Sequence, residues 1–172
     1  YVGKIEDRRN ILFMIDILAK LSLSDKNIRL VLVGNGKKYL KKCLKYARSL
    51  HVHENIIYHE SMKQEELAHV YRCCDIFLFP SKYEIFGMVL LEAMYFGLPT
   101  ITTLNGGSMT LIKDKDTGII CDTNNVNSWC ESVLNLLNDQ KLKEKLSVNA
   151  SKLIKENYTW DALSDKFVAV YE

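Results

Sequence analysis

Short, continuously apolar runs alternate with segments of helical period from one end of this chain to the other, and that alternation narrows the fold more than any other feature. The runs are Arg29–Val33, Asp75–Pro80 around Ile76-Phe77-Leu78-Phe79, and Pro99–Thr103. Strands this apolar are covered on both faces, as in parallel sheets with flanking helices. Tyr1–Ile5, Asn55–His59 and Thr117–Cys121 add shorter strands or strand-and-turn units. Ile11–Leu21 reads as a helix apolar on nearly all sides, interrupted only by Asp16 and Lys20, so it packs against the sheet. Lys37–Leu50 is basic and amphipathic, and Lys63–Arg72 follows with Ser61 as its expected N-cap. Met88–Phe96 stops at Gly97, with Pro99 beyond. Asn125 or Asn127 caps a helix through Leu137, and Gln140–Asn157 and Thr159–Tyr171 complete the chain. The pattern predicts an α/β fold, a doubly wound, Rossmann-like parallel sheet.

Composition narrows the function. The 172 residues are 48% hydrophobic, which excludes disorder, and 23 basic against 21 acidic residues leave a net charge of +2, unlike a dedicated nucleic-acid binder. Five cysteines, odd in number and without a C-x-x-C pair, exclude a disulfide scaffold and point to a reducing, cytoplasmic compartment. Cys73 and Cys74, ahead of an apolar run, are expected to act as small core residues. No apolar stretch reaches membrane-spanning length. With only two prolines and no internal repeat, residues 1–172 are expected to form one domain; the first residue, Tyr1, suits a piece of something longer.

Ligands of open α/β sheets bind beyond the carboxyl ends of the strands. Four turns there carry suggestive residues. In the first, Glu92 is the one residue of Ile85–Ile112 charged at neutral pH, set among apolar neighbours on a helix, so its carboxylate needs donors. A Lys or Arg from another element, or an exposed helix edge, would satisfy it. So would a ligand, because Glu84 in the preceding loop can face the same cleft, with the Gly87 helix start between the two offering amides to an anion. Two acceptors and an anion site suit a polyol joined to phosphate. Lys4, Arg8 and Arg9 follow the first strand and could neutralise a diphosphate or simply form a solvated charge cluster. Gly34-Asn35-Gly36 allows either close approach of a ligand or a tight turn, and Gly106-Gly107 either a ligand loop or a plain one. Lys37, Lys38, Lys41, Lys42, Lys45 and Arg48 form a face that would meet solvent or, as a peripheral contact, anionic lipid.

The run Pro80-Ser81-Lys82-Tyr83-Glu84-Ile85-Phe86-Gly87-Met88-Val89-Leu90-Leu91-Glu92-Ala93-Met94, followed by Gly97-Leu98-Pro99, resembles the signature of retaining glycosyltransferases of family 4, which have the GT-B fold. Gly3-Lys4 with Arg9-Asn10, Val33–Gly36, Gly106-Gly107 and Thr117-Gly118-Ile119-Ile120 agree in order. The resemblance implies the C-terminal, donor-binding half of a two-domain enzyme that moves a hexose to a hydroxyl acceptor. Its acceptor, a sugar or lipid-linked sugar, would be held by an N-terminal domain that this chain lacks, so these residues alone would be inactive. Polysaccharide or glycolipid synthesis at the inner membrane face is the implied setting.

By the same resemblance Glu92 would receive the ribose hydroxyls and Glu84 the donor sugar. Lys4 and Arg9, helped by amides of Phe86, Gly87, Met88 and Val89, would hold the diphosphate. The base would lie near Gly34, Asn35, Ser61 and Met62. No metal or cofactor is implied, only a UDP- or GDP-linked sugar as substrate. Lys4 stands where arginine is common and Thr110 where glutamate is frequent, so those two roles depart from the family. An epimerase of the same architecture and a non-catalytic nucleotide-sugar-binding module are the rivals.

Overall fold

The computed structural model describes residues 1–122 and 125–164. Its strands are all parallel. β1 (Leu30–Val33) pairs with β2 (Ile56–His59), and β3 (Phe77–Phe79), β4 (Thr100–Thr102) and β5 (Ile119–Ile120) form a second sheet in that order. The expected first strand, Tyr1–Ile5, is reduced to a single bridge between Val2 and Val33. The Tyr1 and Gly3 nitrogens donate to Val31 O and Val33 O, both at 2.9 Å, and then Gly3 turns the chain away at φ 140°. On its other side the Tyr1 ring stacks on Phe79 at 6.3 Å, which ties this segment of the β1 sheet to β3.

Gly34 and Gly36 follow β1 at φ 146° and 150°, and a Cβ there would lie 1.8 Å from Gly3 O and 2.1 Å from Ile5 O. The close approach these glycines permit is therefore made by the chain's own backbone. It presses residues 3–5 onto the end of β1 and so aims the following turn at the carboxyl end of the sheets.

The helices are α1 (Ile11–Leu21), α2 (Lys37–Ser49), α3 (Gln64–Cys73), α4 (Met88–Tyr95), α5 (Gly106–Leu111), α6 (Val126–Asn138) and α7 (Gln140–Asn157). Seven of the eleven α1 residues are buried, as its all-round apolar sequence requires, and α1 packs against α2 and α6. α4 packs on α7 and α5, and ends in a Schellman motif: Gly97 at φ 69°, with Leu98 N donating to Ala93 O and Gly97 N to Met94 O, both 2.9 Å. Asn125 caps α6 through Ser128 N at 3.1 Å.

Several expectations are corrected. The cap of α3 is Lys63 rather than Ser61, because Glu66 reaches back to Lys63 N at 2.9 Å and fixes the first turn there. Cys73 ends α3 on its exposed side and Cys74 is half-buried, so the buried cysteines are Cys43, Cys121 and Cys130. Gly106-Gly107 opens a helix instead of a loop. The helix expected over Thr159–Tyr171 is helical at 160–164, and the rest lies outside the described residues. Among the described residues no helix is long and apolar enough to cross a membrane.

Candidate functional site

The turn after the Val2 bridge closes as one 3-10 turn, Asp7–Arg9, ended by Asn10 in the left-handed region at φ 59°. Lys82 N donates to Arg8 O at 3.1 Å, which fastens this turn to the loop beyond β3. Arg9 is thereby carried over the carboxyl end of the sheet, its guanidinium 5.9 Å from the centre of the Phe79 ring. Nη1 donates to Ser81 Oγ at 3.3 Å and to Glu84 Oε2. Nε is buried without a hydrogen bond, 3.6 Å from Glu6 Oε1. The Nε–Glu6 contact is thus an ion pair without a hydrogen bond.

Glu84 stands at the other side. Its Oε1 accepts from Ile85 N at 3.1 Å. Burial opposes ionisation of this carboxyl, but the hydrogen bond and charge of Arg9, with the N–H groups of Ile85 and Gly87, outweigh it and hold the group below its ordinary range. A lowered folded-state value means that the contribution to stability is present above the unfolded value and lost as pH falls through the folded one. Glu84→Gln should therefore flatten the fall of melting temperature below about pH 4.3, the ordinary Glu value. An unchanged acid limb would show that Glu84 is not held this way.

Gly87, at φ 81° and ψ 58°, caps α4, and the N–H groups of Met88 and Val89 lie in its first turn, where no carbonyl one turn back can receive them. Gly3, Arg9, Glu84, Phe86, Gly87, Met88 and Val89 line one cavity of about 280 Å³ at this sheet edge. Below it, Gly106 and Gly107 sit where a Cβ would be 2.6 Å from Ile85 O and 2.5 Å from Phe86 O, so α5 directly supports the loop carrying Glu84.

Glu92 lies one helical turn beyond Met88 and Val89, half-buried. Its partner is neither a lysine nor an arginine: Tyr71 Oη donates to Oε2 at 2.8 Å. Lys4 is exposed and outside the residues lining the cavity, and Arg8 pairs with Glu6 at 2.6 Å. Ser61 is exposed and Met62 half-buried against the core, while Tyr58 Oη donates to Gly34 O at 3.0 Å. Asn35 is exposed at the turn. These residues, expected near the base, stand apart from the cavity. On α2 the six cations are all exposed; Lys37 pairs with Glu60 at 3.1 Å and Lys42 lies over the Tyr39 ring. Among the described residues no three His, Cys, Asp or Glu side chains are grouped to hold a metal.

Two residues that hold the candidate site's side chains escaped the sequence reading. Ser81 is fully buried, meets Arg9, and its carbonyl receives Thr103 Oγ1 at 2.8 Å and Asn105 Nδ2 at 3.2 Å. Its signal was its place directly after the strand-ending Pro80. Tyr71 is buried on the apolar side of α3 with Leu67, and a buried phenol needs an acceptor just as Glu92 needs a donor.

The family profile described as Glycosyl transferases group 1 matches residues 1–153. An uncharacterized glycosyltransferase of Methanocaldococcus jannaschii is 32% identical over 174 residues, covering 100% of this chain and 44% of the relative. The C-terminal domain of a glycosyl transferase group 1 family protein from Francisella tularensis superposes with a TM-score of 0.82 at 21% identity, over 92% of this chain and 85% of the other. Anabaena HepE, solved with UDP and glucose, superposes at 0.85 with 18% identity, over 99% and 47%. At these identities the structures share the fold, that of the C-terminal half of GT-B glycosyltransferases. The chain spans less than half the length of the curated relative. By its sequence and its fold, the chain belongs to the group 1 glycosyl transferases.

Proposed function

We propose that this chain is the donor-binding domain of a retaining, family 4 hexosyltransferase that uses a UDP- or GDP-linked sugar and a hydroxyl acceptor. The observation that carries the reading is the cavity that Arg9, Glu84 and the first turn of α4 line together. There the diphosphate would lie against Arg9 and the amides of Met88 and Val89, and Glu84 would receive hydroxyls of the sugar. As the anomeric carbon–oxygen bond breaks, charge gathers on the leaving diphosphate, where fixed donors stabilise it most. Lys4, on the same turn and exposed, has the reach of a long side chain toward that charge. Glu92 would hold the ribose. No metal enters this scheme. Acceptor binding falls to a partner domain, with polysaccharide or glycolipid synthesis in the cytoplasm as the setting.

HepE, whose structure holds UDP and glucose, makes UDP-glucose the first donor to test. A thermal-shift panel of UDP, GDP, ADP and CMP sugars should give a positive shift with one nucleotide class. Ligand at a hundred times its Kd stabilises by about 2.7 kcal/mol. Absence of any shift at millimolar donor would defeat the reading, release of free sugar and nucleotide by the intact protein without an acceptor would favour the epimerase, and binding without turnover the non-catalytic module.

A further inference from the structure

Glu92 is the only acid of its helix, and its anchor is a side chain from a different element. Tyr71, on α3, is 2% exposed and clamped by aromatic rings: Phe96 stacks on it at 5.6 Å and 19°, and Phe77 meets it at 5.9 Å and 62°. Arg72 lies over the Phe96 ring at 5.1 Å. A ring held on two sides has little freedom, so its hydroxyl is a fixed donor. That donor takes Glu92 Oε2 at 2.8 Å, and among the described residues Oε1 receives no side chain or backbone group.

We infer that Tyr71 is a positioning residue that locks the Glu92 carboxylate in one rotamer so that Oε1 faces the ribose hydroxyls of the donor nucleotide. The inference rests on the donor-site reading above. A glutamate has three side-chain torsions, and an unanchored one loses that freedom when it binds, at a cost in affinity. The Tyr71 hydroxyl removes the freedom beforehand. Burial, and after it the charge and hydrogen bond of Glu92, drive the Tyr71 phenol far above its ordinary range, so the hydroxyl keeps its proton. The orientation is consistent with the depth of the site, because Glu92 lies a turn below the amides that face the diphosphate, on the side where a nucleoside attached to that diphosphate would run.

Tyr71→Phe preserves the ring and its two aromatic contacts and deletes only the donor. Titration calorimetry of the full-length protein with UDP and GDP, each beside its 2′,3′-dideoxy counterpart, separates positioning from mere support. The expected result is about 10-fold weaker binding of the ribonucleotide, the size of one hydrogen bond to a charged group, with binding of the dideoxy compound unchanged. Glu92→Gln should bring the same loss of preference, and adding Tyr71→Phe to it should cost little more. Equal weakening of ribo- and dideoxynucleotides, or no change in either, overturns the role of Tyr71 while leaving the donor site standing. If the wild-type protein binds neither nucleotide, or does not distinguish ribose from dideoxyribose, the donor-site reading falls and this inference with it.

Discussion

On the proposed donor site, Arg9→Ala is expected to lower kcat of the intact protein by about 10²- to 10³-fold, the loss typical when a donor aimed at developing negative charge is removed. Arg9 does three things that no neighbour duplicates. It reaches the cavity on a turn fastened by Lys82 N to the loop beyond β3, it touches Ser81 and Glu84 through Nη1, and its buried Nε faces Glu6 without a hydrogen bond. A diphosphate gains most from such a donor when the glycosidic bond is breaking, so the loss should fall chiefly on kcat and less on KM. Removal also leaves Glu84 with only the Ile85 and Gly87 amides. Arg9→Lys keeps the charge but not the planar fork, and should recover part of the loss. Steady-state kinetics with saturating acceptor checks both variants. An unchanged kcat in Arg9→Ala would remove this residue from the chemistry.

Trp129→Ala is expected to destabilise the protein by about 3–5 kcal/mol, as deletion of a buried tryptophan does. The side chain is fully buried in the cluster that joins α6 to α1 and the second sheet. Its ring meets Phe13 edge-on at 5.6 Å and 86°, and Nε1 donates to Asp122 O at 2.9 Å, just beyond β5. Each kcal/mol shifts the melting temperature of a chain this size by roughly 2–4 °C, so a fall of about 6–20 °C should be seen in calorimetry. Trp129→Phe retains the edge-on contact and should cost less. A fall of only a degree or two in the alanine variant would mean that the space closes, against the packing described.

Elements whose own residues carry both pattern and punctuation were legible in the sequence. α1 and α7 have the limits read from their periodicity, and Gly97 ends α4 by a motif that local spacing discloses. What the sequence hid depends on partners far along the chain. α5 starts with two glycines, poor helix formers, and exists because Asn105 and Ser108 cap it reciprocally and because glycine alone lets the carbonyls of Ile85 and Phe86 lie on it. The first strand shrank to a bridge because Gly3 turns away after one pair. At the site, Glu84 and Arg9 stood out as charges near a strand end, and the structure joins them. Tyr71 did not stand out, since its value lies in one hydroxyl at the end of an otherwise apolar side chain, 21 residues from the acid it holds. Gly34 and Gly36 invited a ligand reading because close approach leaves the same mark in sequence whether the approaching atom belongs to a substrate or to Gly3 O.

The most direct test of the donor site is a crystal structure of the protein with the nucleoside diphosphate that gives the largest thermal shift. The diphosphate is expected against Arg9 and the amides of Met88 and Val89, with the ribose at Glu92 Oε1. A diphosphate bound elsewhere, for example at the mouth of the apolar cavity of about 110 Å³ near Arg29, with the Arg9–Glu84 cleft empty, would contradict it.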